Sequence, residues 1–205
     1  MVTTRSEEYM FDLSGGRLCL DFTNTVGNRG TGEPTEHLRS YGDLLAWAQQ
    51  AGAVAPATAR ELRRKAGADA KDANEALGTA LAVREALYRS FAALAAGRAL
   101  RAADLSTLND QVPWAYSTAR LASLDRGFAL KADGTAHDLK APLAAVVKSA
   151  VDLMTSADLD RVRVCAAKTC AWLFIDTTKN HTRRWCDMKV CGNREKVRRF
   201  RQRDK

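Results

Sequence analysis

Four of the five cysteines in this 205-residue chain, Cys165, Cys170, Cys186 and Cys191, fall inside one short window near its C-terminus. Their spacing is Cys-x4-Cys, fifteen intervening residues, then Cys-x4-Cys. Two close pairs of soft ligands, each able to wrap one side of an ion, suit tetrahedral zinc. Four thiolates complete the shell, so the spacing predicts one structural Zn2+ with no open catalytic position. His181 is a substitute ligand that the set does not need, and free structural or redox thiols are the alternative. Trp172 and Trp185, beside Cys170 and Cys186, are expected to shield the site. Met1 to Glu8 is polar with two glutamates and has no secretory character, so a disulfide framework is not expected. Cys19, among Leu18, Leu20 and Phe22, reads as a small buried hydrophobe.

Charge singles out the same region. Residues 161–205 hold 14 of the 32 Lys and Arg against 4 of the 24 Asp and Glu, a balance of +10, which leaves −2 over residues 1–160. A concentrated positive segment favours a polyanion, whereas a solvated basic tail would have no partner. Arg183, Arg184, Arg194, Lys196, Arg198, Arg199, Arg201 and Arg203 are the candidates for neutralising phosphates, with one or two reaching base edges if a helix enters the major groove. Double-stranded DNA is the expected partner. The alternative is an RNA-binding or protein-interaction adaptor in which Trp172, Phe174 and Trp185 stack on bases. Asn193 can cap the basic helix, and Val197 and Phe200, three apart, mark the face by which it would dock.

Elsewhere the chemistry is sparse. No Ser/His/Asp, Cys/His or paired-carboxylate arrangement stands out, and no phosphate-binding glycine loop occurs, so enzymatic activity is not expected. Asp21, Asn24 and Thr25 are polar positions inside an apolar segment. With Arg29 they could form a pocket for a small effector, or they could satisfy backbone groups at a buried turn. His37 and His137 are isolated and read as exposed.

The elements that must position these residues are mostly helical. Hydrophobic residues make up 46% of the chain and aromatics 7%, with alanine dominant, which favours close-packed helices. The segment from Phe11 to Val26 fits both a strand and a helix. Helices are expected over 35–51 with Thr35 as N-cap, over 57–66 after Pro56, over 72–96 with an apolar stripe from Leu77 to Leu94, over 104–109, and over 142–154. Trp114, Tyr116 and Leu121, then Phe128 and Leu130, frame Asp125-Arg126-Gly127 as a β-hairpin, and Ala132-Asp133-Gly134 gives a second turn signal. Val162 to Cys165 and Ala171 to Ile175 read as strands, and Asn180 as the cap of a short turn from His181 to Trp185. The expected fold is therefore mainly α. A multihelical domain with one β-hairpin spans residues 1–160. A small zinc-binding module of knuckle, hairpin and basic helix spans 161–205 and has a separate core. The richest apolar run, Ala92 to Ala96, is too short to span a membrane, so the expected location is cytoplasmic.

Three stretches, Asp176-Thr177-Thr178-Lys179-Asn180, Arg183-Arg184-Trp185-Cys186 and Cys191-Gly192-Asn193-Arg194, resemble the CGNR zinc-finger family. Leu18 to Thr25 and Tyr41 to Trp47 are similar to the ABATE domain that is usually joined to it. The resemblance covers nearly the whole chain, with no departure at the four cysteines or the CGNR tetrapeptide. It implies a stress-linked, bacterial-type transcription regulator. The N-terminal domain would then serve as a sensor or as the contact of a homodimer.

Overall fold

In a computed structural model the described residues are 9–117, 119–132 and 138–203. The chain opens with α1 (Leu18–Thr23), reached through a turn in which Gly16 adopts φ +80°. Cys19, Leu20, Asp21, Phe22 and Thr23 are all buried. A segment buried on every side carries no periodicity, which is why spacing alone fits either a strand or a helix.

Thr35 does not cap a helix. It pairs in a short antiparallel ladder between β1 (Val26–Gly27) and β2 (Thr35–Glu36). The helix that follows, α2 (Tyr41–Gln50), starts later because Ser40 and Asp43 form a reciprocal capping box that satisfies two orphan backbone donors. Next come α3 (Pro56–Ala68) and α4 (Ala70–Ala95), the latter capped by the Asp69 side chain. Helix α4 buries Ala73, Ala76, Leu77, Ala80, Val83, Leu87 and Phe91 along one stripe. Trp47 of α2 is fully buried against Phe22, with ring centroids 4.8 Å apart.

After α5 (Ala102–Asn109), the residues Trp114 and Tyr116 lie in a helix, α6 (Val112–Ser117), not in a strand. Pro113 suits a first helical turn, and Asp138 accepts from the indole Nε1 of Trp114 at 3.0 Å. The expected hairpin is present but shorter, β3 (Ala119–Ser123) against β4 (Phe128–Ala132), with Gly127 at φ +85° in its turn. The second turn signal at Asp133-Gly134, and His137, lie outside the described residues. Helix α7 (Ala141–Met154) buries Leu143, Val146, Val147, Ala150 and Leu153 and completes the helical core. No helix among the described residues is long and apolar enough to cross a membrane.

A 3-10 turn (Ala157–Arg161) leads into β5 (Val162–Val164), which pairs antiparallel with β6 (Leu173–Ile175). A single π turn (Met188–Gly192) then leads into α8 (Asn193–Arg203). The β5–β6 pair is where the structure departs from an independent C-terminal core. Val162, Leu173 and Ile175 belong to the helical core, whereas Phe174 packs with the four cysteines. Alternation along one strand thus serves two cores at once. Polar ties strengthen the junction: Ile175 N–H donates to Gly15 O, Trp172 Nε1 to Val26 O at 2.8 Å, and Tyr88 Oη to Ala171 O at 3.0 Å. Gly30 lies so close to the Lys168 carbonyl that a Cβ there would overlap it, so the loop between β1 and β2 needs glycine to meet the zinc module.

Candidate metal centre and nucleic-acid interface

The cysteines are brought together by two tight loops. Cys165, just past β5, donates its N–H to Trp172 O at 2.7 Å, and Cys170 N–H donates to Ala167 O at 3.0 Å. Ala171 then adopts φ +56°, an uncommon conformation for a residue with a Cβ, and turns the chain back into β6. In the second loop the Asp187 carboxylate accepts from Val190 N–H at 2.7 Å and caps the π turn. The Sγ atoms of Cys170 and Cys186 stand 3.6 Å apart, as do those of Cys186 and Cys191. All four lie within 4.8 Å of one another and are buried. A tetrahedral zinc with bonds near 2.3 Å requires sulfur separations of about 3.8 Å, so these residues can hold one zinc ion.

Their protonation points the same way. Hydrogen bonds from the Cys170 and Cys186 thiols hold Cys165 far below the ordinary thiol range. Cys170 and Cys186 are pushed up, chiefly by those same bonds to Cys165, and burial raises Cys191. The mutual opposition of these buried thiols is what a divalent metal would relieve, because it supplies the charge that would make all four anionic. Phe174 and the half-buried Trp172 and Trp185 pack on the cluster. His181 is exposed, at φ +51°, and is not among the grouped ligands.

Helix α8 is fixed to the metal loops in an unexpected way. Asn193 does not act as its N-cap; its Nδ2 donates back to Lys189 O at 2.9 Å, while Asp187 supplies the cap one turn earlier. Gly192 lies where a Cβ would meet the Met188 sulfur at 2.5 Å. Arg194 donates to Thr169 Oγ1 at 3.1 Å. Glu195 is buried, accepts from Lys168 N–H, and pairs with Arg198 at 2.9 Å, and Arg198 in turn reaches Gln202. Glu195 is therefore the buried position of α8, with Arg198 half-buried beside it and Gln202 exposed at the outer end of the same row. Val197 and Phe200, expected to dock the helix, are 51% and 67% exposed. Their apolar character and three-residue spacing favoured those two for the inside, but a buried carboxylate with two partners holds the opposite face.

The basic candidates divide accordingly. Arg183 is engaged inside the module: it donates to the Trp185 and Cys186 carbonyls, and its guanidinium lies 4.6 Å from the Phe174 ring centroid. Arg184 is exposed beside Trp185, and Lys196, Arg199 and Arg201 are exposed on α8. Arg194 and Arg198 combine exposure with the contacts above. Arg203 ends α8, and its side chain lies outside the described residues.

The four residues considered for an effector pocket are engaged internally. Asp21 Oδ1 accepts from Gly15 N–H at 2.8 Å, and burial pushes its carboxyl up to about 7. Asn24 bonds both backbone groups of Leu173, accepting from N–H and donating to O, each at 2.9 Å. Thr25 Oγ1 donates to Phe22 O. Arg29 forks onto Glu85 at 2.9 Å, reaches Thr23 O and covers the Tyr88 ring. None of the four lines the cleft of about 840 Å³ beside α7, which Arg17, Tyr116, Lys148 and Asp152 border. Sequence reading also missed buried Arg84, paired with Glu36 at 2.6 Å, and Asp176, whose carboxylate accepts from Thr178 and from Arg183 N–H. The Asp-x-Thr spacing is the signal for the second of these, because it suits an Asx turn. Arg84 sits mid-helix and carries no such signal.

Comparison with known families agrees with this anatomy. Residues 16–157 match the model of the ABATE family, whose description reads "Putative stress-induced transcription regulator". Residues 161–204 match the CGNR zinc finger. A search of curated proteins gives no match.

Proposed function

We propose that this chain, which belongs to the ABATE family and ends in a CGNR zinc finger, is a zinc-dependent transcription regulator that binds duplex DNA through its C-terminal module. The observation that carries this reading is the two-sidedness of α8. Glu195 and Arg198 fix one side to the metal loops, and the rest of the helix presents Lys196, Arg199 and Arg201 to solvent, with Arg184 exposed elsewhere in the module. Zinc would hold the two loops closed and so aim the helix; the chain's own cations would bind phosphates. Phe174 is buried and Trp172 and Trp185 are spent on the cysteine cluster, which favours a finger core over base-stacking platforms and so DNA over single-stranded RNA. The ABATE region would report a signal or assemble two copies, with no catalytic step, in the cytoplasm.

The test is binding of the zinc-loaded full chain to duplex DNA and to structured RNA across a salt series. Each phosphate neutralised contributes about −0.9 to the log–log slope, so the four exposed cations predict roughly −3.6, or about a 150-fold loss of affinity between 50 and 200 mM salt. Replacing Arg199 and Arg201 together by glutamine should flatten that slope by about 1.8. Arg183→Gln should leave the slope alone and loosen the second cysteine loop instead. No binding of the native protein to either polyanion would sink the reading, and tighter binding to RNA than to DNA would turn it toward the adaptor.

A further inference from the structure

The exposed side of α8 is not purely basic. Val197 and Phe200 lie three apart on one face, with Lys196 four residues before Phe200 and Arg201 four residues after Val197. These four residues form one outward surface, opposite the Glu195–Arg198–Gln202 row. Apolar groups one-half (Val197) and two-thirds (Phe200) exposed at the centre of a cationic face are unfavourable in water, and a tail that served only for charge has no use for them. Met188 and Val190, 54% and 51% exposed in the π turn that leads into the helix, extend the apolar character toward the N-terminal end of α8.

We infer that Val197 and Phe200 are specificity residues that contact thymine methyl groups in the major groove, so that the module prefers sites rich in A·T pairs. This inference rests on the DNA-binding reading above. Its occupant is chosen by charge complementarity: the apolar pair is flanked on both sides by cations, so whatever covers it must bring anions on either side. A duplex does so, with two phosphate backbones bordering a groove about 12 Å wide that admits a helix. An eleven-residue helix is about 16 Å long, enough to lie in that groove with both flanks near phosphate. Inside the groove the apolar feature that distinguishes one base pair from another is the thymine C5-methyl, and an apolar side chain is what reads it.

The experiment uses the zinc-loaded full chain. A preferred duplex is first selected from a random-sequence library, and the same duplex is then made with uracil in place of thymine, which removes the methyl groups and leaves every phosphate and hydrogen-bonding edge. Selection should enrich A·T pairs. Uracil should weaken native binding roughly fourfold for each contacted methyl, the equivalent of one buried methylene. Phe200→Ala and Val197→Ala should bind more weakly, lose that sensitivity to methyl removal, and keep both the zinc content and the salt slope of the native protein. Equal native binding to thymine and uracil duplexes would overturn the inference while leaving the DNA reading intact, and would leave an acidic protein surface as the occupant of this face. Variants that keep full methyl sensitivity would overturn it as well. Failure to select any duplex would remove the DNA reading and this inference together.

Discussion

Asn24→Ala isolates the junction between the helical core and the metal module. Its side chain is 3% exposed and makes two hydrogen bonds of 2.9 Å to Leu173, which is itself fully buried. Asn24 behaves there as a third strand, offering a donor and an acceptor to the free edge of β6. Truncation strands one buried N–H and one buried C=O, each costing about 1–3 kcal/mol, so the loss should be about 2–6 kcal/mol. For a chain of this size that corresponds to a Tm lower by roughly 5–20 °C. Denaturation by heat and by urea, followed by far-UV circular dichroism with zinc present, gives the number. Trp172→Phe removes the neighbouring bond to Val26 O, and because residues 172 and 173 bond to 26 and 24, a double-mutant cycle should show coupling of about 0.5–3 kcal/mol. A cost under about 0.5 kcal/mol for Asn24→Ala, or strict additivity with Trp172→Phe, would refute the junction and return Asn24 to the role of an available ligand-binding residue.

Two other perturbations test the same architecture. Cys170→Ala should lose the zinc, measured by metal analysis, and should also lower the melting temperature of the helices, because Val162, Leu173 and Ile175 belong to their core; an unchanged helical melt would show the cores to be independent. Burial raises the Asp21 carboxyl from its ordinary 3.8 to about 7 in the folded state, so the folded protein holds a proton that the unfolded chain has released between those values. Stability from this group is complete below about pH 4 and is lost as pH rises toward 7. Asp21→Asn keeps an acceptor for Gly15 and should flatten that decline, and an identical pH profile in urea titrations of variant and native protein would count against it.

How much of this was legible beforehand follows the range of the interactions. The Cys-x4-Cys pairs announce a metal centre by composition and spacing, because ligand loops are local structures and zinc chemistry accepts few residue types. The asymmetry of charge and the stripe of α4 are equally local, since each depends on residues a few positions apart. Helix starts were less secure: Thr35 and Ser40 are both good caps, and only the reciprocal bonds between Ser40 and Asp43 decide between them. Three features belong to the tertiary structure. The β5–β6 pair feeds two cores because both happen to pack on its opposite faces, which no pattern within three-residue strands can specify. Asn24 and Arg29 are polar residues whose partners, Leu173 and Glu85, lie 149 and 56 positions away, so the sequence left a ligand-binding role open beside the structural one. Finally, hydrophobic spacing in α8 pointed Val197 and Phe200 inward, whereas the buried bonds of Glu195 to Lys168 and Arg198 turn that face to solvent. Local pattern fixes which faces a helix possesses, and only the partner surface determines which of them is covered.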